Sequence, residues 1–305
     1  MQPIGGKKAM AMCILKVLEE CSDPEHPMTY GDIGQQLSKE YGIEAGRNAI
    51  GRNISLLKEM GNDISTYEEN GKGAYLRERL FDDMELRVLI DSVITSRFIP
   101  ANDANQLVKK LSALSTRFFR QTLPQVQRAD EWYHQRNKEF FWNLETISQA
   151  ILLKKQISFC YNSVSLEGNL LPRKSSRINA NPFAIICANS QYYLIASARE
   201  YDEVRHFRID RITKIESTDL LSRPIKEIPG FENGLNLAQY AKEHNFMYGG
   251  IAERIKLKVK SDSVGDIWDA FGASAKMKPI SDDFVEVEVF ASIRGMRFFA
   301  LQFGM

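Results

Sequence analysis

The feature that most constrains this chain is a change in the spacing of its apolar residues near Lys155. Before that point they recur every three or four positions, as on one stripe of an amphipathic helix. After it they alternate, as on a half-buried strand. A chain of 305 residues with such a break is expected to be multidomain and α+β.

The helical part begins with Met10, Cys13, Ile14, Val17, Leu18 and Cys21 on one face, stopped by Ser22-Asp23-Pro24. A second helix starts at Thr29, a natural N-cap, carries Tyr30, Ile33, Leu37 and Tyr41, and ends at Gly42. A third runs from Arg47 to Met60 with Ile50, Ile54 and Leu57 inward, which turns Arg47, Asn48, Gly51, Arg52, Ser55 and Lys58 outward. Two strands, Ile64 to Tyr67 and Ala74 to Leu76, flank an Asn70-Gly71 pair that favours a tight hairpin. Three helices and a hairpin in this order are a winged helix-turn-helix. Its third helix is the element that enters a DNA major groove. Asn48, Arg52 and Ser55 are then placed to read bases, and Arg47, Lys58 and Lys72 to contact phosphates.

From Asp82 to Leu153 three further apolar stripes predict a helical connector, with Trp132, Tyr133, Phe140, Phe141 and Trp142 concentrated in it as a dimer surface. Beyond Lys155, strands are expected at Ile157 to Tyr161, Pro182 to Cys187, Gln191 to Ala196, Val204 to Arg208 and Ile212 to Thr218, making a small antiparallel barrel or sheet. After a helical piece, Leu237 to Glu243, the order strand 254–260, helix 263–271, strand 276–280, strand 284–291 and helix 293–302 is a ferredoxin-like module lacking its last strand. The expected domains are 1–80, 81–153, 154–225 and 250–305.

Charge and motifs narrow the function. Net charge is +1, so any nucleic-acid contact must come from a local patch. Residues 1–75 hold eight Lys or Arg against eleven Asp or Glu, which weighs against DNA binding. Residues 170–211 hold seven against four, a basic excess. Cys13, Cys21, Cys160 and Cys187 show no C-x-x-C spacing and the four histidines are dispersed, so no metal or cofactor is expected. No phosphate-loop, nucleophile-elbow, zinc-protease or dinucleotide motif is present, so no catalytic residue is assigned and the chain is not expected to be an enzyme. With no membrane-length apolar run and no signal-peptide core, it is expected in the cytoplasm.

The stretch Asn179 to Ile186, then Gln191-Tyr192-Tyr193-Leu194-Ile195, then Arg205-His206-Phe207-Arg208-Ile209-Asp210-Arg211-Ile212 resembles the core of the WYL domain family. Tyr192 stands where that family's trio has Trp. The resemblance implies an Sm-like or SH3-like β-barrel that senses ligands in bacterial transcription regulators, paired with a winged helix, a helical linker and a C-terminal extension. That extension normally continues past Phe303-Gly304, so here it is either truncated at Met305 or completed by a partner. It further implies that the positions of Arg205, Arg208 and Arg211, with the aromatic trio, bind an anionic effector such as a nucleotide or single-stranded nucleic acid. The candidate effector residues are Tyr161, Arg173, Tyr192, Tyr193, Arg205, His206, Arg208 and Arg211. Arginine forks suit phosphate, and aromatic rings suit a base. Arg205 and Arg208 have opposite strand parity, so either a bulge reorients one or only part of the set lines a pocket. Expected partners are double-stranded DNA, that effector and a second copy of the chain as a homodimer, with no membrane. The alternative from another class is a protein-interaction module whose winged helix docks a partner protein instead of DNA.

Overall fold

The computed structural model describes residues 9–96, 98–123, 137–172, 177–198, 202–244 and 247–302, which form two compact units. One comprises 9–96 and 101–123, the other 98–100 and 137–302.

In the first unit α1 (Met10–Cys21), α2 (Tyr30–Tyr41) and α3 (Arg47–Glu59) bury Ile14, Val17, Leu18, Ile33, Leu37, Ile50 and Ile54 against one another. These are the predicted stripes. Local chemistry sets the ends of α2: Thr29 and Asp32 form a reciprocal capping box, and Gly42 closes it at φ 66°. A short ribbon follows, β1 (Ile64–Ser65) paired with β2 (Tyr75–Leu76).

The connection between them differs from the expected tight hairpin. Tyr67 leaves the strand and opens one helical turn, α4 (Tyr67–Asn70), closed by Gly71 at φ 68°. The Asn70 amide explains the change: its oxygen accepts from the N–H groups of Lys72 and Gly73 at 2.7 and 2.9 Å, and its nitrogen donates to Ser65 Oγ and the Gly73 carbonyl. Gly73 answers a second demand. Met28 and Ala74 bridge as β-partners, and a Cβ on Gly73 would lie 2.6 Å from the Met28 carbonyl oxygen. The unit continues through α5 (Asp83–Thr95), capped by Asp82 and Glu85, then α6 (Ala101–Ser112) and α7 (Arg117–Thr122), around Leu86, Ile90 and Phe119.

The second unit opens with α8 (Phe140–Leu152), which lays Phe140, Ile147 and Ala150 on a curled antiparallel sheet. The strands are β3 (Lys155–Val164), β4 (Leu170–Pro172), β5 (Ile178–Ala188), β6 (Gln191–Ala198), β7 (Val204–Arg208) and β8 (Ile212–Leu221). Their order is β4-β3-β5-β6-β7, with β8 on β3. Among the described residues no pairing joins β7 to β8, so the sheet is a half-barrel. Asn189 and Ser190 turn between β5 and β6 with φ of 50° and 54°, the left-handed pair that a two-residue hairpin requires.

After α9 (Leu237–Glu243), the chain forms β9 (Ala252–Lys260), α10 (Val264–Phe271), β10 (Lys276–Pro279), β11 (Phe284–Ser292) and α11 (Ile293–Gln302). The three strands lie in the order β10-β11-β9, and Ile267, Val287 and Phe299 are fully buried in the core between sheet and helices.

Candidate nucleic-acid interface and effector site

Helix α3 is held from beneath. Ile50, Ile54 and Leu57 anchor it in the core, and Arg47, Asn48, Arg52 and Ser55 are exposed on its other side. Gly51 is half-buried rather than outward: a Cβ there would meet the Tyr30 ring at 3.2 Å. This close approach seats α2 beside the first turns of α3. No carboxylate occurs from Arg47 through Lys58, so the acids of this unit lie elsewhere.

Lys58 and Lys72 part company. Lys72 is exposed on the loop after α4, whereas Lys58 Nζ is 2.5 Å from Glu69, which Arg77 also holds together with Asp63. The two cations depress the Glu69 carboxyl below its usual range, and its hydrogen bond to Glu69 raises the Arg77 guanidinium. A phosphate reaching Lys58 must therefore compete with Glu69. Arg79 went unnoticed in the sequence. It donates to the carbonyls of Glu19 at 2.7 Å and Ser22 at 2.6 Å, a cation closing the C-terminal end of α1.

The sheet of the second unit separates the effector candidates by face. β7 pairs with β6 through Phe207 opposite Leu194, His206 opposite Ile195 and Arg208 opposite Tyr193. Phe207, Leu194 and Ala196 belong to the core beneath α8, and Arg205, opposite Ala196, shares their side of the sheet. Tyr193, Ile195 and Tyr240 form a separate cluster on the other side, that of His206 and Arg208. The β6–β7 register runs through Arg205 and Arg208 without a bulge, so of the two alternatives the second holds: only part of the set can share one face.

Internal partners occupy most of the set. Arg208 is bidentate to Asp210, at 3.0 and 2.6 Å, and also donates to Gln191; the Asp210 side chain is only 3% exposed. His206 is locked, its Nδ1 donating to the Met247 carbonyl at 2.9 Å and its Nε2 accepting from the Tyr240 hydroxyl at 2.7 Å. Burial, reinforced by His244, holds its pKa down to about 4. Tyr193 is buried, and desolvation raises its hydroxyl. Tyr192 packs edge-on to Phe98 and Phe140. The Tyr161 ring meets Phe207 edge-on, and its hydroxyl accepts from the Arg208 N–H at 3.2 Å. His206 and Tyr161 are half-buried. Arg205 lies 3.9 Å from Glu203. Among the described residues no carboxylate pairs with Arg211, whose charge acts on the Tyr161 hydroxyl. Arg173, Lys174 and Arg199, like Trp132 and Tyr133 of the connector, lie outside the described residues.

Sequence reasoning missed what orients this sheet. Asn143, buried in α8, donates to the Ile212 carbonyl at 2.8 Å, and Asn137 donates to the carbonyls of Asp210 at 3.0 Å and Ile212 at 2.7 Å. These two amides tie α8 and the segment just before it to the turn Ile209–Arg211 and the first residue of β8. A polar residue interrupting the apolar stripe of α8 was the available signal.

The module is thus a helix-backed, curled antiparallel sheet with a half-buried Arg208 held by a buried Asp210 at the end of β7. The family model for the WYL domain matches residues 143–217, from within α8 into β8, and the chain carries a WYL domain there. Among solved structures it is similar to proteasome accessory factor B/C (PafBC) of Arthrobacter aurescens, at 16% identity and a TM-score of 0.29. That similarity covers 93% of this chain but 42% of the other, so the chain spans under half of that structure's length. No curated protein matches. No helix among the described residues is long and apolar enough to cross a membrane.

Proposed function

We propose that this WYL-domain protein is a non-enzymatic transcription regulator that binds duplex DNA through α3. In this reading the first unit is a winged helix-turn-helix, the second contains an Sm-like sensory half-barrel followed by a ferredoxin-like module, and the protein works as a homodimer on two half-sites. The observation that carries it is the exposed face of α3. Two arginines, an asparagine and a serine stand on a helix anchored from below, with no acid along Arg47–Lys58. A major groove admits such a helix, and these side chains match base edges and phosphates. Arg52, Asn48 and Ser55 read bases; Arg47 and Lys72 hold phosphates, and Lys58 joins them once Glu69 yields.

The WYL domain is proposed to sense an anionic effector such as a nucleotide. Arg211, beside the Tyr161 hydroxyl, is the cation best placed to meet it, and Arg208 becomes available if the anion displaces Asp210. The acid surplus of the first unit favours one rival, a helix face that docks a partner protein. DNA from the protein's own promoter separates the two: groove binding should fall steeply between 50 and 200 mM salt as counterions are released. Binding that ignores salt, or its absence, would favour the rival. For the sensor, a nucleoside diphosphate should raise the melting temperature, and Arg211→Ala should remove the gain. No shift in the unaltered protein would defeat the assignment.

A further inference from the structure

The C-terminal sheet carries a second cationic surface, distinct from α3 and from the arginines of the WYL domain. Paired residues of antiparallel strands point to the same side, and the register fixes who shares a face. Val287 lies between Leu257 and Met277, on the side packed against α10 and α11. The opposite side collects Arg254, Lys256, Lys258 and Lys260 from β9, Lys276 and Lys278 from β10, and Phe284, Glu286, Glu288 and Phe290 from β11.

Six cations therefore face two carboxylates. Lys256 meets Glu286 at 3.3 Å, and Arg254 and Lys276 meet the half-buried Glu288 at 3.5 and 3.9 Å; the three cations are themselves exposed. Among the described residues no carboxylate pairs with Lys258, Lys260 or Lys278. The remaining acids near this sheet stand off the face: Glu253 of β9 pairs with Ala291 on the other side, Asp262 follows β9, Asp282 and Asp283 lie on the turn before β11, and Asp266 and Asp269 on α10. The cations of the three strands are confined to the side away from the helices. Two aromatics complete the surface. Phe290 is 53% exposed with Arg254 directly opposite, and Phe284 lies under Lys258, whose Nζ is 4.1 Å from the ring centre. The two rings are six residue steps apart, about 20 Å along a strand.

We propose that this face binds single-stranded nucleic acid. Phe290 stacks a base, Arg254, Lys256 and Lys276 neutralise the adjoining phosphates, and Lys258 and Lys278 carry the backbone toward Phe284. A sheet face with an exposed ring among cations suits splayed bases, which an intact duplex does not offer. Charge alone would suit any polyanion; the exposed ring is what selects a strand with free bases.

Fluorescein-labelled dT15 titrated into the full chain, followed by anisotropy, tests this. Binding should weaken with salt, survive Arg52→Ala, and fall about tenfold or more in Phe290→Ala. In Lys256→Ala/Lys276→Ala the salt slope should drop by about 1.4, near 0.7 for each phosphate that a single strand no longer has neutralised. Phe290 and both lysines are exposed, so folding should persist, and circular dichroism checks it. Absence of binding overturns the proposal. So does binding that Phe290→Ala leaves intact and polyphosphate displaces as well as dT15 does, which marks a plain polyanion patch. Loss of dT15 binding in Arg52→Ala or Arg211→Ala would place the strand elsewhere and would equally overturn it.

Discussion

The cations of α3 and those of the WYL sheet began as equivalent candidates, and the fold treats them in opposite ways. Arg47 and Arg52 extend from a helix anchored chiefly by Ile50, Ile54 and Leu57, with no acid in the same stretch. Arg208 is gripped by a buried carboxylate, and Arg177 by Ser158, the Lys214 carbonyl and Glu216. A basic count along a sequence thus says little about a binding surface. What matters is whether the fold supplies an internal anion first. An unpaired half-buried guanidinium is costly, so positions such as Arg208 acquire a partner as part of folding, while a solvated helix face carries no such demand.

Several changes would break or sharpen that contrast. The largest effect is expected at the pair itself: Asp210→Asn leaves Arg208 without its counter-charge and should cost about 3 kcal/mol, measured by urea denaturation at pH 7. A loss well under 1 kcal/mol would show that Arg208 was never committed. His206 comes next. Its folded pKa lies near 4 against an ordinary 6.5, so the unfolded chain binds more protons between those values. Its contribution is complete above pH 6.5 and is lost as pH falls toward 4, roughly 2–3 kcal/mol after allowing for residual solvent access. His206→Gln should flatten that part of the stability profile, whereas an unchanged profile would assign the acid sensitivity to other groups.

A smaller loss, about 2 kcal/mol by thermal denaturation, is expected for Gly73→Ala, because its Cβ would press on the Met28 carbonyl. That substitution should also weaken duplex binding by moving Lys72, and normal stability would show that the backbone there yields freely. The smallest effect belongs to Glu69→Gln. It releases Lys58 and Arg77, so duplex affinity should rise slightly, and the salt slope should steepen by up to about one phosphate contact. A fall in affinity would mean that Glu69 positions Lys58 for DNA instead of withholding it.

Much of the architecture was legible because burial periodicity is strong. The stripes of α1, α2 and α3, the unit from β9 to α11, and the Asn189-Ser190 turn all follow from local spacing and turn chemistry. β4 was not foreseen, since three residues with Leu171 and Pro172 exposed leave no alternation to read. The turn at Tyr67–Asn70 was misread because Asn-Gly suits a two-residue hairpin equally well until Asn70 is seen bonding to Ser65. Apart from Gly51, which Tyr30 half-covers, the α3 face was readable from helical geometry alone. The effector set was not, since the family likeness supplied residues without their faces; parity separated Arg205 from Arg208, and only the tertiary structure revealed Asp210 as the partner of Arg208 and Tyr240 and Met247 as those of His206.

The most direct test of the account compares Arg52→Ala with Lys72→Ala on duplex DNA from the protein's own promoter and on an unrelated duplex of equal length. Removing a base contact should cost about 1–3 kcal/mol on the promoter and narrow its advantage, while removing a phosphate contact should weaken both duplexes alike and lower the salt slope by about 1. If Arg52→Ala binds the promoter as tightly and as selectively as the unaltered protein, α3 is not the reading helix.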